Sequence, residues 1–198
     1  MDSIILSIII NFIDWSNKFM EKEDVLKNLK VLIEEKKLNE RVAALGTQIS
    51  KDYGDEDIFV ICILKGAMYF TVDLTKHIKS ENLEIDFMKV SSYGDEFISS
   101  GNINIIKDID ASIEGKNVLI VEDIIDSGNT LYYLKELLLK RNPKSLKICA
   151  LLDKKARRVK DIVPEYIGFE IEDKFIVGYG LDFKDNFRNL PYIGYVEV

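Results

Sequence analysis

Residues 58–64 read IFVICIL, an unbroken apolar run in which four of the seven side chains are β-branched. A strand with one wet face alternates polar and apolar residues, so a continuous run marks a strand covered on both faces, as in a parallel sheet. Parallel neighbours need a crossover between them, and helical patterns supply it here. After Lys65 and Gly66, AMYFTVDLTKHIK lines up Phe70, Leu74 and Ile78 at helical spacing. Leu83–Val90 reads as the next strand and Val118–Val121 as a third, followed by a helix with Leu131, Leu134, Leu137 and Leu138 on its apolar face. A turn at Asn142 and Pro143 leads into a fourth strand, SLKICALL. This alternation predicts an α/β fold, a doubly wound, mainly parallel sheet.

The rest of the chain is less regular. Apolar residues at 25, 26, 29, 32 and 33 predict one helical face over Val25–Ile33, and Val42, Leu45 and Ile49 predict another helix ending near Tyr53 and Gly54. SSYGDEFISSGN, from Ser91, reads as a long loop or hairpin. Phe169–Val198 alternates short apolar runs with glycines and a proline, as short strands and loops forming a small lobe over the sheet. The segment Ile4–Ile13 is strongly apolar, yet spanning a membrane takes about 20 such residues. No positive charge precedes it and no small-residue cleavage site follows. Residues 1–19 are therefore read as an extension of unassigned role, with Met20 as an alternative start, and 20–198 as one domain whose small lobe comes largely from about 165–198.

Composition excludes several functions. With 34 acids against 27 bases the net charge is −7, which argues against a general nucleic-acid binder, since those neutralise phosphates with a basic face. A single histidine, His77, leaves no histidine-based zinc site and no Ser-His-Asp triad. Cys62 and Cys149 each sit in an apolar run without metal spacing, as free thiols of a cytoplasmic protein would.

In doubly wound sheets ligands bind beyond the carboxyl ends of the strands. Lys65-Gly66, Glu122-Asp123 and Asp153-Lys154 each close a predicted strand and should meet on one edge. The central segment is VLIVEDIIDSGNT, Val118–Thr130. A strand-to-helix bend over Asp126–Thr130 offers outward N–H groups and the positive end of a helix to an anion. Ser127, Asn129 and Thr130 add donors, and Gly128 allows close backbone approach. Neither GxxxxGK[ST] nor GxGxxG occurs. Glu122 and Asp123 would repel a polyphosphate laid on them but suit sugar hydroxyls, directly or through Mg²⁺. Together these residues spell a ribose phosphate.

The same stretch resembles the phosphoribosyl-pyrophosphate (PRPP) motif of the type I phosphoribosyltransferases, and EDIIDSGNT is similar to the form found in the hypoxanthine-guanine phosphoribosyltransferases. LKGA at 64–67, SSYG at 91–94, LLDK at 151–154 and DKFIVGYGLDFKDNFRNLPYIG at 173–194 agree in order, so the resemblance covers about 23–198. It implies the type I phosphoribosyltransferase fold with a small C-terminal hood, and transfer of the 5-phosphoribosyl group from PRPP to hypoxanthine or guanine in purine salvage. By this resemblance Glu122 and Asp123 hold the ribose hydroxyls, and Asp126 acts near purine N7 as acid or base. Ser127, Gly128, Asn129 and Thr130 hold the 5′-phosphate. Lys65 and Gly66, after a cis peptide, and Arg188 meet pyrophosphate, while Ser92 and Tyr93 belong to a closing loop. Lys154 bonds purine O6, Phe175 stacks on the ring and the Ile176 backbone reads the 2-position. Asp182 joins the purine subsite and, with Glu122 and Asp123, the Mg²⁺ site. A homodimer or homotetramer is implied. Ala67 departs from the family's commoner glycine or serine.

Alone, Glu122-Asp123 fits a solvated strand end, Ser127–Thr130 a helix cap, and Phe175 a core residue; their ordered company decides against those readings. Lys155, Arg157, Arg158 and Lys160 are read as a solvated face, with only Lys154 functional. The competing class, a nucleic-acid-binding regulator on this fold, is opposed by the acidic total. An ammonium donates only, so Lys154 favours a 6-oxopurine over adenine.

Overall fold

The structure, a computed structural model, describes residues 22–91 and 104–196; Ser92 and Tyr93, with the segment 1–21, lie outside the described residues. The chain runs α1 (Lys22–Asn28), β1 (Leu29–Ile33), α2 (Glu35–Tyr53), β2 (Ile58–Leu64), α3 (Met68–Lys76), β3 (Leu83–Ser91) and β4 (Asn104–Lys107). Then follow β5 (Asn117–Ile125), α4 (Asn129–Leu139), β6 (Ser145–Asp153), a 3₁₀ turn (Lys155–Arg157), β7 (Tyr166–Glu170), β8 (Phe175–Val177) and β9 (Ile193–Val196).

A six-stranded sheet has the order β4-β3-β2-β5-β6-β7, parallel except for β4. The unbroken apolar run of β2 is explained by its place between β3 and β5, paired from Ile58↔Leu83 to Leu64↔Lys89 on one side and at Phe59↔Val118 on the other. Its alternate side chains feed two cores. Ile58 and Val60 pack with Leu38, Leu45, Phe70 and Leu74 of α2 and α3. Phe59, Ile61 and Ile63 pack with Leu131, Leu134 and Leu138 of α4. The doubly wound expectation therefore holds. Among the described residues no helix is long and apolar enough to cross a membrane.

A separate antiparallel sheet, β1-β9-β8, makes the small lobe, with Val25, Val177, Phe183, Phe187 and Val196 as its core. Three sequence readings change here. Leu29–Ile33 is a strand, not the continuation of a helix, because Leu29↔Val196 and Val31↔Gly194 pair across the length of the chain. β5 does not stop at Val121 but runs through both acids to Ile125, carried by pairs Glu122↔Ala150 and Ile124↔Leu152 with β6. Tyr166–Glu170 is the edge strand of the main sheet, so the small lobe takes one strand from near the start of the described chain and two from Phe175 onward.

Candidate active site

The parallel sheet delivers its loops to one end, where a cavity of about 340 Å³ opens. Lys65 and Gly66 enter from the end of β2, Glu122–Ile125 from β5, Asp126–Gly128 from the bend, Thr130 and Leu131 from α4, and Asp182 and Arg188 from the small lobe. Asn129, Lys154, Phe175 and Ile176 lie outside this lining.

The acids of β5 are half-buried. Burial, then the charge of Asp123, pushes the Glu122 carboxyl well above its ordinary range. Burial also raises Asp123, against hydrogen bonds from Glu122 and the Ile124 N–H, the latter at 2.7 Å. Two carboxyls this close favour holding a proton between them, and the charge of Arg188 pulls Asp123 the other way.

The bend that follows has Gly128 at the N-cap of α4 with φ 78°, a left-handed value that glycine adopts without penalty. The glycine N-cap supplies no side-chain bond, Ser127 Oγ accepts from the Asn129 N–H at 3.4 Å, and the first-turn N–H groups of a helix have no intrahelical acceptor, so the bend can receive an anion. The Ser127 carbonyl accepts from the N–H groups of Val159 and Lys160 at 2.9 and 3.1 Å, fixing the bend from behind. Asp126 is divided: Oδ2 accepts from Arg157 at 3.3 Å, whereas Oδ1 is buried without a hydrogen-bond partner. A buried acceptor without a partner calls for one, and a ligand donor can supply it.

On the opposite wall the Leu64–Lys65 peptide is cis. Lys65 Nζ lies 2.8 Å from Asp185 Oδ1, which also meets Arg188 at 3.2 Å. Arg188 further pairs with Asp182 at 2.6 Å and donates to the Gly180 carbonyl at 2.7 Å. Asp185, unremarked in the sequence, thus neutralises two cations at once, and both hold its carboxyl below the usual range, Lys65 foremost.

Behind the cavity Lys154 is buried, its Nζ 3.6 Å from Asp173 Oδ1 and its N–H bonded to the Ile125 carbonyl at 2.9 Å. Phe175 meets Phe183 edge to face with centroids 5.6 Å apart, and Ile176 is buried in β8. The solvated reading of the basic run needs correcting. Arg158 pairs with the buried Asp153 and donates to the carbonyls of Asp126 and Ile162, because the chain after β6 folds under the bend. Only the three-dimensional path of 154–162 brings it there; nothing in the local sequence marks it.

Among the described residues no cluster of three metal-ligating side chains occurs. The donor set nevertheless fits Mg²⁺, which binds through one or two carboxylates and keeps water and substrate oxygens for the rest. Glu122 and Asp123 are hard oxygen donors on the cavity wall.

Comparison with known proteins fits this geometry. The phosphoribosyl transferase domain family matches residues 31–184. The hypoxanthine-guanine phosphoribosyltransferase of Bacillus subtilis strain 168 is 51% identical over 178 residues, 90% of this chain and 97% of that protein. In Listeria monocytogenes serotype 4b a bifunctional TilS/HprT protein is 49% identical over 168 residues, and there this chain spans only 26% of the length. A crystal structure of a hypoxanthine-guanine phosphoribosyltransferase from Bacillus anthracis superposes with a TM-score of 0.82 at 49% identity, covering 85% of this chain and 98% of that one. The chain belongs to the phosphoribosyltransferase family and, within it, to the hypoxanthine-guanine phosphoribosyltransferases.

Proposed function

We propose that the chain transfers the 5-phosphoribosyl group of PRPP to hypoxanthine or guanine, giving IMP or GMP and pyrophosphate in purine salvage. The observation that carries this reading is one cavity lined by two adjacent acids, a glycine-capped helix start, an aspartate with one unpartnered oxygen and two cations. The 5′-phosphate sits on Ser127, Gly128, Asn129 and Thr130. Glu122 and Asp123 accept from the ribose hydroxyls. Lys65 and Arg188, with Gly66, receive the pyrophosphate once Asp185 releases the two cations.

Purine N9 bonds to C1′ as the bond from C1′ to the pyrophosphate oxygen breaks, with inversion and a cation-like sugar between. Asp126 takes the N7 proton on Oδ1, an acid–base contribution of about 10²–10⁴ in rate. Lys65 and Arg188 stabilise the leaving charge electrostatically. Lys154 donates to O6, Phe175 packs on the ring, and the Ile176 backbone and Asp182 complete the purine subsite. Glu122, Asp123 and Asp182 would hold Mg²⁺, whose chemistry is to neutralise charge on the pyrophosphate. Ser92 and Tyr93 are assigned to a loop that closes over the reacting centre and excludes water.

The domain is taken as 20–198, with residues 1–19 an extension of unassigned role. A cytoplasmic location suits two buried, unbonded cysteines. A homodimer or homotetramer is proposed, for which Met68, Tyr69 and Val72 offer exposed apolar contact beside Lys65; sedimentation measures it. The reaction is tested spectrophotometrically with PRPP, Mg²⁺ and each of hypoxanthine, guanine, xanthine and adenine. Rapid IMP formation with no adenine reaction supports the proposal. No product from either hypoxanthine or guanine overturns it.

A further inference from the structure

Arg157 does not line the cavity, yet it joins both ends of the proposed purine subsite. It closes the 3₁₀ turn Lys155–Arg157, whose N-cap is Lys154, and its N–H donates to the Lys154 carbonyl at 3.2 Å. Residues three apart eclipse in such a turn, so the two side chains leave it on one side. The Lys154 N–H is tied in turn to the Ile125 carbonyl at the end of β5, 2.9 Å away. As a result Arg157 Nη1 lies 3.3 Å from Asp126 Oδ2, and its Nε lies 3.9 Å from Asp173 Oδ2. Asp173 Oδ1 is 3.6 Å from Lys154 Nζ. Four charges of alternating sign thus run Asp126, Arg157, Asp173, Lys154, from the group assigned to purine N7 to the group assigned to O6.

The division of the Asp126 carboxylate gives this chain a use. One oxygen is held by Arg157, and the other is buried without a hydrogen-bond partner. A carboxylate that must present one oxygen to a ring proton gains from having the other fixed, because misorientation of a reacting group is costly in rate. The Arg157 and Asp126 side chains are 45% and 41% exposed, so their pair contributes little to folding. Its effect belongs in turnover and not in melting.

We infer that Arg157 is a positioning residue: it holds Asp126 with Oδ1 toward the substrate and, through Asp173, sets where Lys154 meets the purine. This rests on the acid–base role proposed for Asp126 and the O6 role proposed for Lys154.

The test is steady-state kinetics of R157Q, R157K and D173N with hypoxanthine, PRPP and Mg²⁺, alongside thermal melting. R157Q should lower kcat about 10-fold, part of the acid–base contribution. Its KM for PRPP should stay within about 2-fold, and its Tm should match the parent within about 2 °C, as for an exposed substitution. R157K should recover most of the lost turnover. D173N should raise the hypoxanthine KM several-fold while changing kcat less. An R157Q enzyme with parental kcat, or R157K and R157Q equally impaired, overturns the inference, and a D173N enzyme with unchanged hypoxanthine KM removes its Asp173 link. An unaltered chain that forms no IMP overturns the proposed function and this inference with it; an active parent matched by R157Q overturns the inference alone.

Discussion

The carboxylate of Asp123 rests against the backbone of Gly66, so closely that a β-carbon at 66 would fall 1.5 Å from Oδ2 and 2.6 Å from Cγ. Adjacent parallel strands, β2 and β5, end side by side and bring the lysine loop and the acid pair into one wall. Gly66→Ala is expected to push Asp123 out of place and reduce kcat/KM for PRPP at least about 100-fold, the scale of a misplaced reacting group. Circular dichroism should still report the parental secondary structure.

Asp126 lines the cavity and keeps one buried oxygen without a hydrogen-bond partner. An Asp126→Asn enzyme should lose about 10²-fold or more in turnover while PRPP affinity by calorimetry changes only a few-fold. Unchanged turnover removes Asp126 from its role.

The raised carboxyls of Glu122 and Asp123 also predict a pH signature. A carboxyl whose folded value exceeds its unfolded one binds more protons in the folded state, so its contribution to stability falls as pH climbs past the ordinary 4.5 of glutamate. Glu122→Gln removes that penalty. The variant should melt a few degrees above the parent near pH 8, by about 2–4 °C, with the gap closing near pH 4, while its activity falls. Melting curves at the two pH values check it; a gap independent of pH contradicts it.

Asp185 holds Lys65 and Arg188 in the free protein. Asp185→Asn should free Lys65, leave Arg188 with Asp182 alone as its carboxylate partner, and tighten pyrophosphate, read as a fall of about 3-fold in its inhibition constant, modest because the Lys65 pair is exposed. Weaker inhibition would assign Asp185 an organising role instead.

Arg158 compensates a carboxylate, Asp153, that is 1% exposed. Arg158→Gln leaves that charge buried without a cation and should cost about 3 kcal/mol in urea denaturation. Substituting both residues with an apolar pair should recover part of the loss.

Particular residues show what could be read from sequence and what could not. Ile58–Leu64 was legible to its ends because a strand buried on both faces has no polar member to blur them. The acid pair and the bend were legible because their chemistry is local. Leu29–Ile33 was not, since its spacing also fits a helix and only the distant β9 decides the matter. The extension of β5 through Glu122 was hidden because pairing with β6, not hydrophobicity, carries the strand past Val121. Arg157 and Arg158 read as solvated charges, and nothing in the sequence singles out Asp185. Their partners Asp126, Asp153 and Lys65 are brought to them by the sheet and the small lobe, which no local pattern records.

Titrating PRPP with Mg²⁺ into the protein by calorimetry is the most direct measurement. The expected result is one site per chain, weakened at least about 10-fold when Glu122 and Asp123 are both changed to their amides. No heat in the unaltered protein, or the same affinity in the altered one, would contradict the account.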